Sequence, residues 1–372
     1  MLKIGITGQE GFVGTHLFNT IALFPEEFER VHYDIDFFGD EMLLDEFVAQ
    51  CDVIVHLAAM NRHNDPQVLY DTNVGLVNTL ISSLKRTSSK AHVILSSSSQ
   101  EEKDNLYGKS KKVGRELLIE WASSVSAPFT GLIIPNVFGP FGQPNYNSVI
   151  ATFSHQISNG ETPHIHVDGE LNLIYVGELV TEILNKIREN TTNTAYLVPH
   201  TATAKVSELL ALLRGYKDTY QDGGEIPAIQ NTFELNLFNT YRCYMDIGNY
   251  FPVKFRQHTD LRGSFVEVIR LGVGGQVSFS TTVPGVTRGN HYHTRKIERF
   301  AVIKGKALIQ LRRIGTDEVL DFYLDGSAPS YVDMPIWYTH NIKNIGDEVL
   351  YTNFWINEFY DPNDSDTYFE EV

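Results

Sequence analysis

The sequence predicts two folds in succession: a doubly wound α/β sheet over residues 1–243, then an antiparallel β-barrel over residues 250–372. Three observations carry this. A short apolar strand runs into a glycine turn and a helix at the very start. Strand and helix patterns then alternate, which is the mark of a parallel sheet covered on both faces. From about Thr240 to Phe251 helical periodicity gives way to short alternating strands with a turn every ten or so residues, as in a sandwich or barrel.

In the first half, Lys3–Thr7 reads as a buried strand. Gly8, Gly11 and Gly14 follow in GQEGFVG, flanked by Phe12 and Val13, and an amphipathic helix is expected from Thr15. A glycine turn between strand and helix lets the backbone approach a pyrophosphate at the helix N-terminus. The spacing is G-x-x-G-x-x-G. Asp34 follows a strand expected around Val31–Tyr33. An acid there bonds an adenosine ribose and repels a 2′-phosphate; the plainer reading is a turn former. Asp52–Ala59 is a second buried strand, Asp71–Leu84 a helix containing Asn73, and His92–Ser97 a strand ending in four serines, Ser96 to Ser99. Tyr107 and Lys111 open the next helix, four residues apart and therefore on one face. A nearby ammonium favours the phenolate of a tyrosine, so Tyr107 is a candidate proton-exchanging group. Ser98 or Ser97 is placed to polarise the same carbonyl.

Gly8-x-x-Gly11-x-x-Gly14, His56-Leu57-Ala58-Ala59, Asn73, the serine run and Tyr107…Lys111 together resemble the extended short-chain dehydrogenase/reductase family. That resemblance implies a Rossmann-type domain and a nicotinamide cofactor. It makes Ser98 the catalytic serine, Tyr107 the acid that protonates a carbonyl oxygen, and Lys111 a further contact to the nicotinamide ribose. It also places Pro135 and Val137, in PNVFG, near the nicotinamide and substrate. Leu171–Leu179 is similar to the family's returning strand, and Val206–Leu213 reads as helical.

In the second half, expected strands include Phe265–Leu271, Gln276–Thr281 and Ala307–Arg312. His291 and His293 alternate by two, so on a strand they share a face. Glu298 on the next strand and His340 on a later one complete an N/O set suited to a metal. With Gly285, Gly305, Pro335 and Asn344, this spacing resembles the cupin barrel and implies a zinc ion. Iron is the competing metal, as in a cupin dioxygenase. Asp260-Leu-Arg-Gly-Ser-Phe-Val-Glu267 is similar to the opening of the deoxysugar-nucleotide epimerase branch of cupins. Arg262 there suits a diphosphate, or else a surface pair with Asp260.

A formal charge of −16 argues against a nucleic-acid partner. Two cysteines, Cys51 and Cys243, imply no disulfide framework. No apolar run approaches the roughly 20 residues of a membrane span, and MLKIGITG enters a strand with no leader, so cytoplasmic residence is the default.

The whole chain resembles the family of bifunctional capsular-polysaccharide enzymes that make the precursor of UDP-N-acetyl-L-fucosamine. This implies 3-epimerisation and then NADPH-dependent 4-reduction of UDP-2-acetamido-2,6-dideoxy-β-L-arabino-4-hexulose, a UDP-linked 4-keto-6-deoxy-amino sugar, to the L-talose isomer. It also implies a homodimer. Asp34, by contrast, favours NADH. If the metal is structural, the barrel needs other acid and base groups, and Tyr338, Lys296 and His258 are candidates. The competing enzyme readings are another nucleotide-sugar 4-reductase or a 4-epimerase with a non-catalytic sugar-binding barrel, and a dehydratase. The last places acidic residues beside the serine, where Ser99 and Gln100 stand before Glu101.

Overall fold

The computed structural model describes residues 1–372. The chain divides into two compact units, Met1–Val149 with Asp168–Val206, and Ile150–Val167 with Ser207–Val372.

The first unit is built on β1 (Leu2–Thr7), α1 (Phe12–Ile21), β2 (Phe28–Arg30), α2 (Glu41–Gln50), β3 (Val53–His56), α3 (Pro66–Arg86), β4 (His92–Ser98), α4 (Leu106–Val125), β5 (Phe129–Ile134) and β6 (Asn136–Phe138). After α5 (Val149–Ser158), which belongs to the second unit save for its first residue, come β7 (Glu170–Tyr175), α6 (Val176–Glu189), β8 (Asn193–Leu197) and β9 (Ala202–Lys205). Six strands form one parallel sheet in the order β2-β1-β3-β4-β5-β8. Alternation along each strand splits the core in two. Ile54, Val93, Leu95 and Phe129 pack under α2, α3 and α4. Ile4, Ile6, Val55, Ile94 and Leu132 face the other way, against α1 and α6. Strands buried on both faces are what a doubly wound sheet requires, as the sequence predicts.

Several boundaries differ from expectation: β3 ends at His56 rather than Ala59, and α3 starts at Pro66 rather than Asp71, where Asp65 caps it. The helix after the glycine turn begins at Phe12, not Thr15, because Gly11 already takes the extended N-cap conformation. The second strand is Phe28–Arg30, three residues earlier than Val31–Tyr33; Tyr33 is buried as a core ring against Phe47 instead. Leu171–Leu179 is only half strand. At Val176 the chain turns helical, where the Glu178 carboxylate accepts from the Tyr175 amide and caps α6.

Besides α5, the second unit holds α7 (Val206–Tyr216, save for its first residue), α8 (Thr232–Arg242) and α9 (Ile247–Tyr250) and continues from there in strands. These are β10 (Val253–Lys254), β11 (Gln257–Asp260), β12 (Gly263–Val266), β13 (Gln276–Thr282), β14 (Thr287–Tyr292), β15 (Glu298–Lys304), β16 (Lys306–Arg313), β17 (Val319–Asp325), β18 (Ser330–Met334), β19 (Tyr338–Asn344), β20 (Leu350–Ile356) and β21 (Tyr368–Phe369). Two antiparallel five-stranded sheets, β10-β18-β15-β20-β13 and β17-β16-β19-β14-β21, enclose the core. Ala307, Ile309 and Leu311 face inward on alternate positions of β16. The expected strand Phe265–Leu271 is a correction: pairing ends at Val266, in an exposed hairpin with β11.

A buried ion pair ties this unit's helices to its strands. Arg299 on β15 and Asp333 on β18 are cross-strand neighbours, with contacts of 2.7 and 2.9 Å at 2% and 0% side-chain exposure. Tyr220 donates to the same carboxylate at 2.8 Å, and Arg242 reaches the Met334 carbonyl at 3.0 Å. Removing one partner strands a charge in a dry site. Asp333→Ala is therefore expected to destabilise this unit by about 3–5 kcal/mol, whereas replacing both partners with apolar residues costs much less. Urea unfolding checks this; equal losses for the single and double variants would contradict it.

Candidate functional site

The parallel sheet gathers its candidate residues at the C-terminal ends of β1, β3 and β4, the edge where such sheets bind ligands. Gly8 has φ +74, and a Cβ there would sit 2.8 Å from the Ala58 amide nitrogen. A Cβ on Gly14 would lie 2.2 Å from the Gly8 carbonyl oxygen. Only glycine permits this turn and its close approach to the Leu57–Ala59 segment. Gly11 caps α1 without a side chain, so the amides of Phe12, Val13 and Gly14 open the helix beside a cradle that any larger residue would fill. This fits a dinucleotide phosphate.

Asn73 is buried, and its amide is spent on Met60, accepting from N at 2.7 Å and donating to O at 3.0 Å, and on the Ser110 hydroxyl. It holds the loop after β3. Asp34 is exposed and its carboxylate accepts from the Asp36 amide at 2.9 Å, so the turn-forming role is real. Pro135 and Val137 are half-buried at the β5–β6 junction.

Ser98, Tyr107 and Lys111 converge. The Ser98 hydroxyl stands close enough to the Tyr107 phenol to oppose the rise of its pKa, and the Lys111 ammonium lies 5.8 Å from the centre of the Tyr107 ring while donating to the Ser96 carbonyl at 3.0 Å. Tyr107 also donates to Asn61 Oδ1 at 3.2 Å. Ser97 is excluded as the polarising serine: its hydroxyl turns the other way and donates to Glu101. Glu101 is in turn clamped by Arg115 at 2.6 Å. Burial would raise the Glu101 carboxyl, but the Arg115 and Ser97 contacts bring it below the usual range. It is no free acid, which removes the dehydratase reading's proton donor. The expected phenolate is also corrected. Burial raises the Tyr107 pKa, with the Ser98 contact only partly opposing it, so Tyr107 keeps its proton. That is the state an acid in carbonyl reduction needs.

Burial lowers Lys111 to about 8, with the Glu101 charge pulling it back up. Its ammonium is present below that pH and is lost above it. The kcat/KM for reduction, which reports the free enzyme, is expected to fall as pH rises through about 8. Lys111→Arg should remove that limb, though with a lower plateau. A wild-type profile flat to pH 9.5 would contradict the assignment.

In the barrel, ligand-capable atoms of His291, His293, Glu298 and His340 all lie within 4.8 Å of one another. His293 stands just past β14 rather than on it. The His293 Nδ1–H donates to the Asp366 carbonyl at 2.5 Å, and the His340 Nδ1–H to the Tyr338 carbonyl at 3.2 Å. Both rings therefore turn Nε2 inward, and each Nε2 lies 3.2 Å from Glu298 Oε2. His340 Nε2 is buried without an aligned hydrogen bond. Burial would lower His293, but its hydrogen bond to Glu298 outweighs that and raises it; a cation seated between the rings and the carboxylate would replace the shared proton, with the neutral Nε2 atoms as ligands. Burial would raise the Glu298 carboxyl, but the two rings outweigh it and hold it far below the carboxylate range. Burial lowers His291, to about 4, leaving it neutral as a ligand must be. The residues fit a divalent metal of zinc type.

Among the other barrel candidates, Lys296 is 1% exposed and donates to the Ser365 carbonyl at 2.5 Å, a structural role that rules it out as a base. His258 is exposed on β11. Tyr338 is raised to about 12 by burial. Arg262 pairs with Asp260 at 2.5 Å on an exposed hairpin, the surface pair rather than a preformed diphosphate site. Sequence reasoning did not assign roles to Arg115 or Asp366; both act on residues far along the chain and carry no local motif.

The sequence matches the NAD dependent epimerase/dehydratase family over residues 4–198 and the polysaccharide biosynthesis C-terminal domain over 258–368. It is 31% identical to the UDP-2-acetamido-2,6-beta-L-arabino-hexul-4-ose reductase of Pseudomonas aeruginosa, across 99% of this chain and 98% of that protein. The Bacillus subtilis spore coat polysaccharide biosynthesis protein SpsL is 27% identical over 123 residues, 30% of this chain and 82% of that one. Among solved structures, the capsular polysaccharide assembling protein CapF of Staphylococcus aureus aligns over 100% of both chains at 36% identity and a TM-score of 0.63.

Proposed function

The chain belongs to the NAD dependent epimerase/dehydratase family, and from that premise we propose that it is a bifunctional nucleotide-sugar enzyme of capsular or O-antigen precursor synthesis. Its reductase domain is drawn at residues 1–243, of which 150–167 and 207–243 pack with the second compact unit, and its cupin epimerase domain at residues 250–372. The substrate is UDP-2-acetamido-2,6-dideoxy-β-L-arabino-4-hexulose and the product UDP-2-acetamido-2,6-dideoxy-β-L-talose. The observation that carries this reading is one chain holding both the Ser98–Tyr107–Lys111 convergence and the three-histidine, one-glutamate cluster.

The cofactor is a nicotinamide dinucleotide seated on Gly8, Gly11, Phe12, Val13 and Gly14, with Leu57, Ala58, Ala59, Pro135 and Val137 beside it and Asn73 holding the loop. Family resemblance favours NADPH, Asp34 favours NADH, and relative kcat/KM decides between them. Bound cofactor supplies hydride to carbon 4. Tyr107 gives its proton to the ketone oxygen, Ser98 donates a hydrogen bond to that oxygen, and Lys111 keeps positive charge beside the phenol.

Epimerisation comes first, because the 4-ketone acidifies the proton on carbon 3 and reduction removes that ketone. A base in the barrel takes the proton, and its return to the opposite face inverts the centre. His291, His293, Glu298 and His340 would hold zinc, which supplies fixed positive charge there. Four protein ligands suit a structural ion if tetrahedral. The enzyme acts as a homodimer in the cytoplasm; no helix is long and apolar enough to cross a membrane.

Turnover of the 4-keto sugar with NADPH carrying deuterium at the transferable position tests the reductase. The reading expects one deuterium on carbon 4 of the sugar. Oxidation of the cofactor without label in the sugar would overturn it.

A further inference from the structure

The last residues of the chain return to the metal-ligand cluster. β21 pairs with β14 through His291↔Phe369 and Tyr292↔Tyr368. Just before it stands Asp366, 4% exposed and with φ +41. Its carboxylate accepts from the Thr294 amide at 3.1 Å, the Thr294 hydroxyl at 2.6 Å, the Arg295 amide at 3.0 Å and the Lys296 amide at 3.1 Å. These are the three residues directly after His293. Its backbone carbonyl accepts the His293 Nδ1–H at 2.5 Å. One residue thus grips a metal-ligand candidate twice, at its ring and at the turn that follows it.

A buried carboxylate is costly without compensation. Here successive backbone amides supply it, in the manner of an anion-binding nest. The side chain donates to nothing and points at the turn, not at the cluster. Its carbonyl fixes the tautomer and the plane of the His293 ring, which is what outer partners of ligating histidines do. Neighbouring contacts hold the tail in place: Lys296 Nζ on the Ser365 carbonyl at 2.5 Å, and Arg295 on Asp364 at 2.9 Å.

We infer that Asp366 is a positioning residue for His293, and that the C-terminal segment is an integral part of the barrel's metal site. This rests on the metal-site reading above.

The test is zinc affinity of the full-length protein by competition with a chromogenic chelator, together with the visible spectrum of the Co²⁺-loaded protein. Asp366→Gly removes the carboxylate while tolerating the left-handed backbone. It is expected to weaken zinc binding about 10–100-fold and to alter the Co²⁺ bands. Asp366→Asn keeps one acceptor oxygen and should fall between it and wild type; it supplies the reading should the glycine variant not fold. Asp364→Ala removes the tail's contact with the Arg295 side chain but leaves His293 and the backbone amides that Asp366 binds unaltered, and should bind zinc as wild type does. Wild-type affinity in both Asp366 variants would overturn the inference while leaving the metal site standing. So would an equal loss in Asp364→Ala, since the tail would then act only by docking. Failure of the wild-type protein to take up zinc would instead overturn the metal-site reading itself.

Discussion

Tyr107→Phe is expected to lower cofactor oxidation by the 4-keto sugar about 10²–10⁴-fold, the usual contribution of a positioned acid. The substitution deletes one oxygen from a half-buried ring at the start of α4. That oxygen carries the proton destined for the ketone, stands beside Ser98 and donates to Asn61. Cofactor binding should survive, because the glycine cradle and the α1 N-terminus are untouched. Rapid single-turnover measurement separates this from a binding defect. An unchanged rate would remove the reductase assignment.

Glu298→Gln is expected to cost the barrel its metal and, with it, inversion at carbon 3. Glu298 is the one negative charge among three imidazoles, and both His293 and His340 stand 3.2 Å from its Oε2. A neutral amide presents an N–H or a weaker oxygen at that point. Affinity should fall by more than the roughly 10–100-fold typical of outer-partner changes. Metal analysis of protein purified without added metal should show zinc in the wild type and only traces in the variant. Abundant iron with oxygen uptake in the wild type would point to oxygenase chemistry instead. The glycine cradle and Tyr107 are unaltered, so cofactor binding in the variant should match wild type.

The features legible in the sequence are those written in local spacing. A strand, a glycine turn and a helix occupy consecutive residues, and two histidines two apart share a face wherever a strand or its end runs. The helix begins three residues before Thr15 because Gly11 caps α1 through its backbone conformation, which leaves no capping side chain in the sequence. The choice between Ser97 and Ser98 was not readable, since neighbouring strand residues face opposite ways and only the distant Arg115–Glu101 clamp shows which way Ser97 turns. The protonation of the phenol is not legible for a related reason: proximity of Lys111 is a four-residue pattern, while burial, which raises Tyr107, is a property of the whole sheet edge. Asp366 lies 73 residues beyond His293, and Asp333 lies 34 beyond Arg299. Long-range pairs of this kind follow from strand register, which composition and periodicity do not specify.

The claim that one chain performs both reactions is tested most directly by turnover of the 4-keto UDP-sugar with unlabelled NADPH in heavy water, weighing the product after exchangeable deuterium is washed out. Hydride from the cofactor carries no solvent label, so a product one mass unit heavier than the light-water control means that a carbon-bound proton came from solvent. That is the predicted result, and the excess should vanish in His291→Ala. A reduced product with no added mass would mean ketone reduction alone, leaving the barrel as a sugar-binding module and contradicting the bifunctional account.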